Sequence, residues 1–203
     1  MFYQVENIPN EQTMQAVVAE LLPLVPFVRR DKALRYRHLH GQYCCLRAWA
    51  MLHELLIGHG CLPAGFPLAA LTYVEDEFGK PHLSSIENRA SHFSISHTRC
   101  AIAVAVDSQP VGIDIESIAS ARRLEPLFLD RTMNADEQAL IRESADPCLA
   151  FTELWTRKEA LVKALGTGLN IDTLSGLLGS QTGFSLSTFH TGTYACSVAV
   201  TIL

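Results

Sequence analysis

The sequence predicts an α+β fold of two similar α/β halves, residues 1–107 and 108–203, set in a pseudo-twofold arrangement with the site between them. Three observations predict it. FSISH…AIAVAV (Phe93 to Val106) lines up with FSLST…ACSVAV (Phe184 to Val200), the second copy having a turn three residues longer. Each copy follows a helical pattern that ends in G-x-G, at Gly58–Gly60 and at Gly166–Gly168. The 203 residues suffice for two such halves of about 100 residues sharing one core. The copies differ where the first has Ser96-His97 and the second Ser187-Thr188, so one half would keep chemistry that the other has lost. Ligand sites favour interfaces between such units.

Taken in order, residues 10–57 read as mostly helical, interrupted by Pro23 and Pro26, with a long helix over 42–57. YVEDEFGKP then reads as a short strand and a turn with Lys80 between Gly79 and Pro81. Strands are expected at 92–98, 101–106 and 111–116, from HFSISHT, AIAVAV and VGIDIE. Helical patterns fill most of 121–165, and GFSLST and YACSVAV close the chain as strands.

With 48% hydrophobic and 18% charged residues the composition is that of a globular, ordered protein. A net charge of −5 speaks against a nucleic-acid partner. The start, MFYQVENIPN, has no basic segment ahead of an apolar core, and the longest apolar runs are strand-length. A cytoplasmic protein without a membrane partner is therefore expected. Six cysteines without a C-x-x-C pair fit free thiols. The charge is uneven: in RRDKALRYR five of nine residues are basic (Arg29, Arg30, Lys32, Arg35, Arg37). That run suits either a solvated helix face or a dock for phosphates or an acidic protein.

In VGIDIE, Val111, Ile113 and Ile115 point one way and Gly112, Asp114 and Glu116 the other. Two carboxylates at i and i+2 stand about 6.6 Å apart at Cα and can reach one small cation. An oxygen-only pair suits Mg²⁺ sharing its shell with phosphates, while a solvent-facing strand edge is the plainer reading. WTRKEALVKALGTG, at 155–168, adds Glu159 and two cations. On that helix Phe151, Leu154, Trp155, Val162 and Leu165 make one apolar stripe, and Lys158 falls near its middle. Either Lys158 snorkels past Trp155 into water, or that face lines a cleft holding a phosphate-bearing ligand. His97 ends a strand in which Ser94 and Ser96 share a face. His38 and His40 lack a third ligand and read as surface. P-loop, hydrolase-elbow and zincin motifs do not occur.

In this order, GKP (79–81), FSISHT (93–98), VGIDIE (111–116) and WTRKEALVKALGTGL (155–169) closely resemble the motifs of the 4′-phosphopantetheinyl transferases, of the larger, single-chain type that activates peptide synthetases. The resemblance implies the pseudo-twofold fold of that family, with coenzyme A bound between the halves. It implies transfer of 4′-phosphopantetheine to a serine hydroxyl of an apo acyl or peptidyl carrier protein, with release of adenosine 3′,5′-bisphosphate. By motif match, Asp114, Glu116 and Glu159 would bind Mg²⁺ with the coenzyme A pyrophosphate. Ser96 and His97 would contact its phosphates, and Lys80 would lie near the same end. Lys158 and Lys163 would face the pyrophosphate and the pantetheine arm. The catalytic set is then Glu159, Lys163, Lys158 and His97, with Glu159 or a metal-bound water taking the serine proton. The nucleotide end falls to the basic run, Arg29 and Lys32 first, with Arg30 and Arg35 beside them. Paired halves in one chain suggest a monomer. Two further classes are a coenzyme A-binding module without transfer, and a Mg²⁺-dependent hydrolase of the coenzyme A pyrophosphate.

Overall fold

A computed structural model describes residues 1–75, 77, 80–84, 92–118, 124–168 and 183–202. Gly79 and Leu169 of the motifs lie outside that set. The fold is mixed α+β with two antiparallel sheets.

The first sheet has the order β1-β5-β4-β3-β2, from β1 (Phe2–Asn7), β2 (Tyr73–Glu75), β3 (Pro81–Leu83), β4 (His92–His97) and β5 (Ala101–Asp107). Strand β1 is an addition to the expected elements. Its FYQVEN is rich in strand formers, stops before Pro9, and pairs with β5 from Phe2↔Val106 to Asn7↔Ala101. Between β1 and β2 run α1 (Glu11–Leu21), α2 (Phe27–Leu34), the 20-residue α3 (Leu39–Gly58) and a short 3-10 turn. Asn10 caps α1 by accepting from the Thr13 amide at 3.0 Å. Helix α3 lays Trp49, Leu52 and Leu56 on Phe93, Ile102, Val104 and Val106, forming the first core.

The second sheet has the order β6-β8-β7, from β6 (Val111–Ser117), β7 (Phe184–His190) and β8 (Tyr194–Thr201). Among the described residues three helices lie between β6 and β7: α4 (Pro126–Thr132), α5 (Ala135–Glu143) and the 19-residue α6 (Pro147–Leu165). A second core lies between the sheets, where Ala101, Ala103 and Ala105 meet Val111, Ile113, Ile115, Tyr194, Cys196 and Val198. The three alanines leave room for the larger side chains opposite, so the sheets interdigitate.

The sequence alignment of the two hairpins needs correction. Three residues separate β4 from β5 and three separate β7 from β8, so the turns are equal and the strands of the second hairpin are longer. Counted from the turns, the second hairpin has Phe189-His190 where the first has Ser96-His97. The faces agree with that count: Ala101, Ala103 and Ala105 on β5, and Tyr194, Cys196 and Val198 on β8, all point to the core between the sheets. A one-residue slip would turn each of them to the wrong side.

Helix α6 is covered on two sides. Phe151, Leu154, Trp155 and Val162 pack against Leu129, Met133 and Ile141 of the α4–α5 region, while Ala160, Leu161 and Ala164 pack against Ala199 of β8. Leu165, expected in the apolar stripe, is 47% exposed. Where α6 crosses β6 the residue is Gly112, and a Cβ there would stand 2.0 Å from the Ala160 carbonyl oxygen and 2.5 Å from the Ala164 amide nitrogen. Only glycine lets helix and strand come this close. None of the six cysteines is paired in a disulfide among the described residues. No helix of the described residues is long and apolar enough to cross a membrane.

Candidate active site

Strands β4 and β6 approach side by side without forming a backbone ladder, and hydroxyls span the gap. Ser94 Oγ accepts from the Ile113 amide at 3.1 Å, and Thr98 Oγ1 accepts from the Ser117 amide at 3.2 Å. Between them Ser96 Oγ donates to Asp114 Oδ1 at 2.8 Å. Lys163, reaching in from α6, donates from Nζ to the same Oδ1 at 2.6 Å, to Ser96 Oγ at 3.2 Å and to the Ile113 carbonyl at 3.2 Å. Asp114 is only 4% exposed. Its Oδ2 is buried and has no hydrogen-bond partner among the described residues.

This cluster underlies a cleft of about 510 Å³ bounded by α2, α3, β4 and α6. Six residues expected at the site line it: Arg29, Lys32, Lys80, His97, Glu159 and Lys163. Lys80 lays its stem over Gly166, whose φ of +74° ends α6, and donates to the Ala164 carbonyl at 2.6 Å. A cation at a helix C-terminus is favourably placed there. Arg29 is held by stacking, its guanidinium 4.2 Å from the Trp49 ring centroid and 5.4 Å from that of Tyr73. A fixed guanidinium is a ready partner for a phosphate or a planar ring. His97 faces the cleft edge-on to His40, with ring centroids 6.3 Å apart. Desolvation, then the nearby His40 and Lys163, push its pKa below the usual imidazole value.

The structure places the remaining expected residues as follows. Ser96 and Asp114 form the floor beneath the cleft rather than its lining, and Glu116 lies two residues along β6 on the side facing α6. Arg30 points away, donating to the Leu22 and Pro23 carbonyls at 2.9 and 3.0 Å, and Arg35 pairs with Asp31. Lys158 is a correction. It neither snorkels nor lines the cleft: it is 0% exposed, and its Nζ donates to the Thr132 carbonyl and to Glu137 Oε2, both at 2.6 Å. Desolvation lowers its pKa, and the Glu137 carboxylate opposes that shift. The stripe around Lys158 is buried under α4 and α5, so the charge that answers it comes from the protein itself. A sequence signal for that partner existed in Asn134-Ala-Asp-Glu137, the capping box that opens α5. Sequence reasoning also set His40 aside as surface, and it stands beside His97.

The donor set suits a hard divalent cation such as Mg²⁺. Asp114, Glu116 and Glu159 are oxygen donors, and among the described residues nothing donates to the buried Asp114 Oδ2. Among the described residues no three His, Cys, Asp or Glu side chains are gathered closely enough to hold an ion together, and Lys163 occupies Asp114 Oδ1. Four cations line the cleft beside Glu75 and Glu159, so the cleft presents net positive charge to a polyanionic ligand.

Comparison with known proteins finds similarity to one family. The family model of the 4′-phosphopantetheinyl transferase superfamily matches residues 110–201. The 4′-phosphopantetheinyl transferase psf-1 of Bacillus pumilus is 32% identical over 164 residues, covering 79% of this chain and 66% of the relative. The L-aminoadipate-semialdehyde dehydrogenase-phosphopantetheinyl transferase of Saccharomyces cerevisiae is 31% identical over 179 residues, covering 83% and 61%. A segment of fatty acid synthase subunit alpha of Candida parapsilosis is 30% identical over 102 residues, covering 49% of this chain and 5% of that one. The chain thus spans just under two thirds of the length of the curated transferases it matches.

Proposed function

The chain belongs to the 4′-phosphopantetheinyl transferase superfamily, and from that premise we propose that it moves 4′-phosphopantetheine from coenzyme A to a serine hydroxyl of an apo acyl or peptidyl carrier protein. The observation that carries the reading is the Ser96–Asp114–Lys163 cluster beneath a basic cleft that Glu159 also lines. Coenzyme A enters this cleft with its pyrophosphate over Lys163 and its nucleotide end toward Arg29 and Lys32. Lys80 and His97 face its phosphates. Lys163 is held by Asp114, Ser96 and the Ile113 carbonyl, so its charge is aimed before the ligand arrives.

The serine oxygen forms a bond to the β-phosphorus, and the bond from that phosphorus to the bridging oxygen breaks. Adenosine 3′,5′-bisphosphate leaves with the electron pair. Lys163 stabilises the charge that develops on the pyrophosphate oxygens, and the cleft aligns the reactants. The serine proton passes to Glu159, the carboxylate of the expected set that lines the cleft. Asp114, Glu116 and Glu159 would hold Mg²⁺, which when bound neutralises pyrophosphate charge.

The two sheets are read as pseudo-twofold copies, residues 1–107 and 108–203. Each is entered by an edge strand, crossed by helices and closed by a hairpin, and the order β1-β5-β4 matches β6-β8-β7. Intact-mass measurement of an apo carrier protein incubated with the protein, coenzyme A and Mg²⁺ tests the function. A phosphopantetheine-sized gain, lost with chelator and with Asp114→Asn, is expected. Coenzyme A binding with no gain on several carriers would overturn it.

A further inference from the structure

Lys158 is the most buried charged side chain among the described residues, and the transfer step makes no use of it. Its two partners belong to a single corner. Thr132 is the last residue of α4, and Glu137 closes the capping box of α5. Glu137 Oε2 accepts from the Asn134 amide at 2.8 Å and from Lys158 at 2.6 Å, while Asn134 Oδ1 accepts from the Glu137 amide at 2.9 Å. Lys158 therefore ties α6 to the junction between two other helices.

The opposite side of α6 is fixed as well, by the Ala160 backbone seated against Gly112. At about 100° per residue, Lys158 and Ala160 lie roughly 200° apart around the helix, with Glu159 midway. Lys163 falls about 40° from Glu159. The helix is thus held front and back, and the edge left between carries Glu159 and Lys163 into the cleft.

We propose that Lys158 and Glu137 are a positioning pair: they set the rotation of α6 so that Glu159 and Lys163 meet the bound pyrophosphate together, and neither touches the ligand. This rests on the transferase reading above. Two directional hydrogen bonds fix an angle, whereas an apolar side chain of similar size fills the space and leaves rotation free. Buried ion pairs are best attested in such registry roles.

The test separates position from stability. Lys158→Met leaves a buried carboxylate unpaired and should lower both thermal stability and transfer. Lys158→Met/Glu137→Gln removes the charge yet keeps a capping oxygen, and should recover most of the stability. If the pair positions α6, the double variant still shows kcat reduced tenfold or more, because small misplacements of reacting groups are costly. Its KM for coenzyme A should stay within about threefold, since the remaining cleft contacts are untouched. Amide exchange over residues 158–163 should remain faster than in the unchanged protein. Recovery of kcat and exchange protection together with stability would overturn the proposal and leave a structural pair. Were the unchanged protein to transfer nothing, the function would fall, and exchange alone would still decide the positioning.

Discussion

The two hairpins β4–β5 and β7–β8 have the same turn length and the same facing, yet they end differently. In the first, Ser96 and His97 meet Asp114, Lys163 and the cleft. In the second, Phe189 stands against Tyr3 with ring centroids 6.1 Å apart, and His190 bonds to Glu153 Oε1 at the surface at 2.7 Å. One position thus holds a serine that orders a carboxylate, and its counterpart holds an aromatic ring that fills space. Hairpins of equal turn length can carry polar chemistry at one end and only packing at the other.

Four experiments would break or sharpen that contrast. Asp114→Asn removes the negative charge that orders Lys163 and turns one acceptor oxygen into a donor, and transfer should fall about 10²–10³-fold with the fold intact; steady-state kinetics beside a circular dichroism spectrum measures it. A loss under threefold would mean that the polar hairpin end is as passive as the aromatic one. Gly112→Ala drives a methyl group into the α6 backbone, which cannot swing aside, and should cost about 1–3 kcal/mol or more in urea unfolding. Ser96→Ala leaves the Lys163–Asp114 pair but deletes its hydroxyl, and should slow transfer about tenfold, equivalent to about 1.4 kcal/mol. Phe189→Ala should lower stability and leave transfer unchanged.

The smallest effect concerns how β1 anchors the long helix α3. Glu6 on β1 accepts from Arg47 on α3 at 2.6 Å, and from the Tyr43 hydroxyl at 3.0 Å. Burial raises the Glu6 pKa, but Arg47 and Tyr43 outweigh it, so the folded value lies below the ordinary 4.5. A depressed carboxylate stabilises the fold fully above that ordinary value and loses its contribution as pH falls through the folded one. Thermal unfolding from pH 6 down to pH 3 should therefore show a loss that Glu6→Gln lacks, about 1 kcal/mol or less for a partly exposed pair. A pH dependence identical in both proteins would remove Glu6 from the account.

Much of this was legible in the sequence because alternation and turn residues report on the backbone directly. The strands at 92–97, 101–107 and 111–117 and the end of α6 at Gly166 follow the expected pattern closely. The cleft set of Arg29, Lys32, Lys80, His97, Glu159 and Lys163 was likewise named from motif and charge. Lys158 was misread for a physical reason. A helical stripe shows that a face is covered but not by what, and α6 is packed by different neighbours on two sides. Equating Ser96-His97 with Ser187-Thr188 failed similarly, since matching letters do not count residues from a turn. Strand β1 was missed although FYQVEN carries strand formers, because its pairing partner lies about 100 residues away in sequence.

Between β4 and β6 the strands are joined through Ser94, Ser96 and Thr98 rather than backbone to backbone. The spacing of these two strands is therefore gauged by the reach of a hydroxyl-bearing side chain. Direct pairing would draw these strands about 4.8 Å apart and join the two sheets, leaving no room for the Ser96–Asp114–Lys163 cluster beneath the cleft. Alternate small alcohols along one strand act as spacers, and the polar floor under the cleft exists because the sheet stops being a sheet there.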